Sequence, residues 1–153
     1  MLDANVRPHL TSYKFGESTL EHKLYIAWND SNCIGIPIID EQHRSIVSII
    51  NSIHYFVEKH RELDVLESII DMMVQYTVIH FTTEEAMLKE AGYPAIAEHT
   101  LFHEQPIRQL QSVSYEATED CDVGPLLKLL KAWWLSHINH EDRKYVPFMS
   151  GNI

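Results

Sequence analysis

Apolar residues recur every three or four positions along most of this 153-residue chain, which is the period of a helix with one buried face. The pattern predicts four such helices. The first starts at Asp40, a good N-cap after "GIPII", and ends between Glu58 and Arg61, with Ile46, Val47, Ile50, Ile53 and Val57 as its stripe. The second runs from about Asp64 to Ala91 through Ile69, Met72, Met73, Tyr76, His80 and Met87, and Gly92 stands in the usual place of a C-cap glycine. Pro94 suits the first turn of a third helix, which carries His99, His103, Ile107, Leu110 and Val113 until "TEDCDVGP" breaks it. A fourth runs from about Pro125 to Tyr145 with Leu127, Leu130, Trp134, His137 and Ile138, and Pro147 and Gly151 close the chain. Pro106 conflicts with the third pattern, because a proline inside a helix removes a backbone donor and crowds the carbonyl four residues back; a kink or break is expected there.

Four amphipathic helices with short links predict an all-α fold, an antiparallel up-down-up-down four-helix bundle. Residues 1–27 have weak periodicity and read as an N-terminal arm packed outside the bundle, with a short helix around Ser18 to Tyr25; residues 28–153 read as the bundle domain.

Composition narrows the function. A formal charge of −10 offers no basic excess for phosphates, which argues against nucleic acid and against an acidic membrane surface. No apolar run is long enough to cross a bilayer, and the first thirty residues lack the charged start and apolar centre of a signal peptide. Cys33 and Cys121 are far apart and form no CxxC pair, so two free thiols in a reducing, cytoplasmic setting are expected.

Ten histidines are the unusual feature. His99 and His103 stand at i and i+4, about 40° apart around a helix, so one metal can take both. His80 and Glu84 repeat that spacing on the second helix, His43 is in phase with the Ile46–Ile50 stripe, and the fourth helix offers His137 with either Glu141 or Asp142. Five histidines and two acids converging on a bundle core would be costly without compensation, and a metal supplies it. His54, His60 and His140 read as surface or helix-end residues.

The segments "WNDSNCIGIPIIDEQH", "HFTTEEAML", "HTLFH" and "HINHED", between residues 28 and 145, together resemble the hemerythrin family, especially its bacterial members. The resemblance implies ligands at His43, His80, Glu84, His99, His103, His137 and Asp142, holding two iron ions with a shared oxo or hydroxo bridge. It implies that His99, His103 and His137 complete one iron, whereas His43 and His80 leave the other with an open position where O2 binds reversibly. Helical spacing and the family pattern disagree over the last ligand. Glu141 lies i+4 from His137, but the pattern selects Asp142 at i+5, about 140° away on a regular α-helix. Both hold only if the helix widens locally into a π-turn.

The apolar lining that the resemblance implies for O2 falls on Ile46, Phe81, Trp133, Trp134 and Ile138. Trp134 departs from the family's Trp-Leu-x-x-His motif, since a tryptophan replaces leucine three residues before His137. It either packs between helices or gates the pocket. The implied function is O2 carriage, storage or sensing. A regulatory input domain with a signalling partner or fused output domain is a second class, and a di-iron enzyme scavenging O2, peroxide or nitric oxide is a third. The absence of the paired Glu-x-x-His motifs of ferritin-like oxidases favours binding over catalysis.

Overall fold

The computed structural model describes residues 23–59, 63–119 and 122–149. A 3-10 turn, Asp30–Asn32, leads into α1 (Pro37–Glu58), α2 (Leu63–Glu90), α3 (Ile96–Glu119) and α4 (Gly124–Ser136). The fourth rod continues through a π-helical segment, His137–Asp142, into α5 (Arg143–Met149). Among the described residues the fold is all-helical. Sequential helices pack on one another and α4 closes back on α1, the up-down-up-down arrangement that short links dictate.

The buried positions follow the helical period closely. On α1 they are Ile39, Gln42, His43, Ile46, Val47, Ile50 and Ile53. On α2 they are Leu66, Ile70, Met73, Thr77, His80, Phe81, Glu84 and Leu88. Met72 therefore lies one step round from the seam and is 55% exposed, not inward as its apolar character suggested. Apolar residues occupy both sides of α2, so periodicity alone left its inner face poorly marked.

Two of the helix boundaries differ from expectation for local reasons. α1 begins at Pro37, not Asp40, because proline's fixed φ suits the first helical position. Asp40 instead reaches back, and its carboxylate accepts from the backbone N–H groups of Ile34 (2.7 Å) and Gly35 (3.0 Å). That bond fixes the turn at Gly35, whose φ of 87° favours glycine. At the other end of α2, Gly92 takes the expected left-handed conformation, with φ 66°, and the Tyr93 N–H closes on the Leu88 carbonyl at 2.9 Å. Pro147 does not stop the last described helix, because it sits within α5.

Of the kink or break expected at Pro106, the break does not occur. α3 is one helix through that residue. The carbonyl deprived of its donor belongs to Phe102, which is 43% exposed, so water can take the bond, and the proline lines a small cavity with Leu110, Leu130 and Trp133.

The stretch before α1 is tied to the bundle. Asn51 clamps the Ile26 backbone from both sides, accepting from its N–H and donating to its carbonyl at 2.9 Å each. Tyr25 donates to the Leu127 carbonyl and stacks on His54, so His54 is a half-buried packing partner. Residues 23–25 are not helical, and the rest of the short helix expected around Ser18 lies outside the described residues, as do His60 and Cys121. Cys33 is a free, half-buried thiol. No described helix is long and apolar enough to cross a membrane.

Candidate metal centre

Four rods each turn polar groups toward one point in the bundle. α1 brings His43, α2 His80 and Glu84, α3 His99 and His103, and the π segment His137 and Asp142. All seven are buried, none above 4% exposed. On α2 and α3 the i, i+4 spacing puts each pair on one face. On the fourth rod the helix widens into the π segment spanning His137–Asp142. A π turn bonds residue i to i+5, so the residue five positions on returns to nearly the same face. This brings Asp142 inward beside His137. Glu141, which a regular α-helix would have selected, is displaced outward and pairs with Lys144 at 2.7 Å. His140 is exposed, as expected.

Each carboxylate reaches into two groups of imidazoles. Asp142 places Oδ2 3.1 Å from His43 Nε2 and Oδ1 3.1 Å from His137 Nε2. Glu84 places Oε1 2.5 Å from His99 Nε2 and 3.7 Å from His103 Nε2, and Oε2 3.4 Å from His80 Nε2. Two sets of donor atoms result, with the atoms in each set within 4.8 Å of one another. One holds Glu84, His99, His103 and His137; the other holds His43, His80, Glu84 and Asp142.

These atoms face each other without bonding well. His43 Nε2, His80 Nε2, His103 Nε2, His137 Nε2, Glu84 Oε2 and both oxygens of Asp142 are buried with no hydrogen-bond partner among the described residues. Orphaned polar atoms at this density are expensive unless something else satisfies them. Burial pushes the His43 and His103 imidazoles down to about 4, and those of His80 and His137 well below the ordinary histidine value. Burial pushes the Asp142 carboxyl well up, and burial together with the Asp142 charge raises Glu84. His99 goes the other way: burial acts to lower it, but its hydrogen bond to Glu84 and the surrounding carboxylates outweigh that and raise it. Four imidazoles are thus held neutral with lone pairs available, and two carboxylates lack a cation. A pair of metal ions would supply what the set lacks. Imidazole nitrogens with carboxylate oxygens suit iron, manganese or zinc.

The surroundings are aromatic and apolar. Phe81 stacks on His103 at 3.8 Å with the rings 1° from parallel, and Trp133 stacks on His137 at 5.2 Å. Trp134 is 1% exposed and meets the His43 ring edge to face at 5.4 Å, with Trp28 behind it at 5.8 Å. Ile46, Phe81 and Ile138 are buried and Trp133 half-buried, so the five apolar positions singled out in the sequence fall in the core or at its edge. Two residues beside the site escaped the sequence reading. Gln42 Oε1 sits 3.1 Å from His80 Nδ1, and Glu85 Oε1 sits 2.7 Å from His103 Nδ1. Each directly adjoins a singled-out residue, His43 or Glu84, which was the only available signal. Tyr145 is a third: its hydroxyl is wholly buried, its ring packs against His99 at 5.4 Å, and burial beside the carboxylates pushes its pKa far up.

Comparison with known proteins agrees with this geometry. Residues 34–149 match the family model described as the hemerythrin HHE cation binding domain. The chain is 36% identical over 130 residues to the bacteriohemerythrin of Stenotrophomonas maltophilia, covering 84% of each chain. It is 37% identical over 125 residues to that of Pseudomonas aeruginosa, covering 80% of each. Its fold superposes on a wild-type hemerythrin crystal structure with a TM-score of 0.73 at 20% identity, covering 82% of this chain and 98% of that one. The matched span contains every residue of the buried cluster, from His43 to Asp142, and the chain belongs to the hemerythrin family.

Proposed function

We propose that this protein is a non-heme di-iron protein that binds O2 reversibly, as a carrier, store or sensor, and that it is not an enzyme. The observation that carries the reading is the buried set of five histidines and two carboxylates, divided into two groups that share Glu84. His99, His103 and His137 would hold one iron and His43 and His80 the other, with Glu84 and Asp142 shared between them. When bound, iron supplies the electrons and the open coordination position that reversible O2 uptake needs.

The chain's own part is to bind, orient and exclude. The neutral imidazoles present lone pairs inward, and the carboxylates counter part of the metal charge. Ile46, Phe81, Trp134 and Ile138 surround the centre with apolar side chains and keep it dry. A lining of this kind suits a small apolar gas. A reducing, cytoplasmic setting fits the free Cys33 thiol. A sensing role would add a signalling partner.

Trp134 covers the half where His43 and His80 stand, the half read as open to O2. Its bulk is read as a shield against water. Anaerobic reduction of the iron-loaded protein, addition of O2 and then its removal tests both points. The oxy spectrum is expected to appear and reverse. In Trp134→Leu it is expected to decay to the oxidised state several-fold faster. Immediate irreversible oxidation of the native protein would overturn the binding reading, and an unchanged decay rate in the variant would overturn the shielding role.

A further inference from the structure

The His103 ring is held from three directions. Phe81 fixes its plane by parallel stacking, His99 meets it edge-on at 4.5 Å, and Glu85 sits 2.7 Å from Nδ1. A carboxylate only accepts, so Nδ1 carries the proton and Nε2 keeps its lone pair. Nε2 is buried without a hydrogen-bond partner and points toward Glu84. Phe81 and Glu85 are themselves i and i+4 on α2, one step round from the His80 and Glu84 pair. One pair faces the centre and the other holds a ligand-type ring on a neighbouring helix.

The other half has a counterpart of different chemistry. His80 Nδ1 lies 3.1 Å from Gln42 Oε1. The Gln42 amide nitrogen donates to Thr83 Oγ1 at 3.1 Å, and the Thr83 hydroxyl donates to the Ile79 carbonyl at 2.8 Å. A hydroxyl has one proton, so Thr83 accepts from Gln42, and the Gln42 oxygen must face His80. Both rings therefore carry their proton outward on Nδ1. One hands it to a neutral amide and the other, at shorter range, to a carboxylate. Charge-assisted hydrogen bonds are roughly twice as strong as neutral ones. An outer carboxylate also raises the basicity of a metal-binding imidazole.

We propose that Glu85 is a positioning residue: it locks His103 with Nε2 inward and makes the His99, His103 and His137 half the stronger donor set, hence the half whose metal is held tighter and oxidised more readily. The inference rests on the di-iron reading. The Glu85 side chain is 31% exposed, so replacing it leaves the packed core in place.

The test compares the native protein with E85Q, which keeps an acceptor but removes the charge, and E85A, which removes both. Ferrous ion affinity is measured anaerobically by competition with a chromophoric chelator, oxidation potentials on the iron-loaded proteins, and imidazole nitrogen NMR on the metal-free proteins. E85A is expected to lose about 10–100-fold in affinity at one of its two sites. E85Q is expected to fall between the two and to show its first oxidation at a higher potential than the native protein. Without metal, His103 should be a single Nδ1–H tautomer in the native protein and in E85Q, and a mixture in E85A. Native affinity and potential in both variants would overturn the assignment. If the native protein fails to bind two ferrous ions, the di-iron reading falls separately. The spectra then decide for Glu85 alone, and an unchanged His103 tautomer in E85A overturns it.

Discussion

Asp142→Asn is expected to lose the metal pair while making the metal-free protein more stable. The native carboxylate spans the two groups, with Oδ1 beside His137 and Oδ2 beside His43. An amide of the same shape keeps the packing but cannot supply two anionic oxygens. Loss of an outer hydrogen-bond partner already costs about 10–100-fold in metal affinity, so loss of a shared inner group should cost at least that. Without metal the sign reverses. Burial pushes the Asp142 carboxyl well up, which means that its charged form is penalised in the fold, and the neutral amide escapes that penalty. Glu141→Ala is the control. It removes a solvent-screened surface pair with Lys144, which contributes little, and should keep both metals. Iron content after reconstitution and thermal melts of the metal-free proteins check both halves. Two irons in Asp142→Asn, or their loss in Glu141→Ala, would mean that the wrong acid has been chosen.

Stripping the metal should leave a protein that melts earlier and fails in mild acid. A ligand held at about a hundredfold over its Kd stabilises by about 2.7 kcal/mol, so a filled site should raise the midpoint by on the order of 5–10 °C for a chain of this size. The acid response of the metal-free protein follows from its buried histidines. His43 and His103 have folded pKa values lowered to about 4 from 6.5. Between those values the unfolded chain binds protons that the fold refuses. Their stability is therefore complete above pH 6.5 and lost as pH falls toward 4, on the order of 3 kcal/mol for each. His80 and His137 shift in the same direction. Four groups act against them. His99, raised by Glu84, and the raised carboxyls of Glu84, Glu85 and Asp142 favour the fold as pH falls. All four lowered histidines are shifted strongly, whereas of the opposing groups only Asp142 is, so net loss is expected. Circular dichroism melts with and without iron at pH 7.5 and 5 measure it. Equal melting of the metal-free protein at both pH values, with no gain on adding iron, would contradict this reading of the cluster.

The fold was largely legible because three of the four rods advertise their inner face. The stripe Ile46, Val47, Ile50 and Ile53 admits one orientation of α1, and His43 falls in phase with it. α2 was harder, since Met72 and Met73 are equally apolar and only packing decides that Met73 turns inward. α3 does not break at Pro106, because a local cost of about 3 kcal/mol is an average for helix interiors, whereas here the bereft carbonyl lies on an exposed residue. Asp40 misled in a smaller way: a residue with good cap chemistry performs a similar task from inside the first turns.

The metal-ligand candidates were legible from two kinds of signal. Spacing alone paired His99 with His103 and His80 with Glu84. It pointed to Glu141 on the fourth rod, and only the family pattern opposed it. The conflict was itself informative, because a regular helix could not satisfy both, and the π segment at His137–Asp142 is the backbone change that resolves it. Gln42, Glu85 and Tyr145 were not legible. Their roles depend on which way a neighbouring ring is turned, and a one-dimensional period does not carry that information.

Anomalous diffraction from crystals of the iron-loaded protein, collected at the iron edge, tests the two-iron reading most directly. Two peaks per chain are expected, one among His99, His103 and His137 and the other between His43 and His80, with Glu84 and Asp142 reaching both. A single peak, or a peak held by Glu141 with Asp142 turned away, would contradict it.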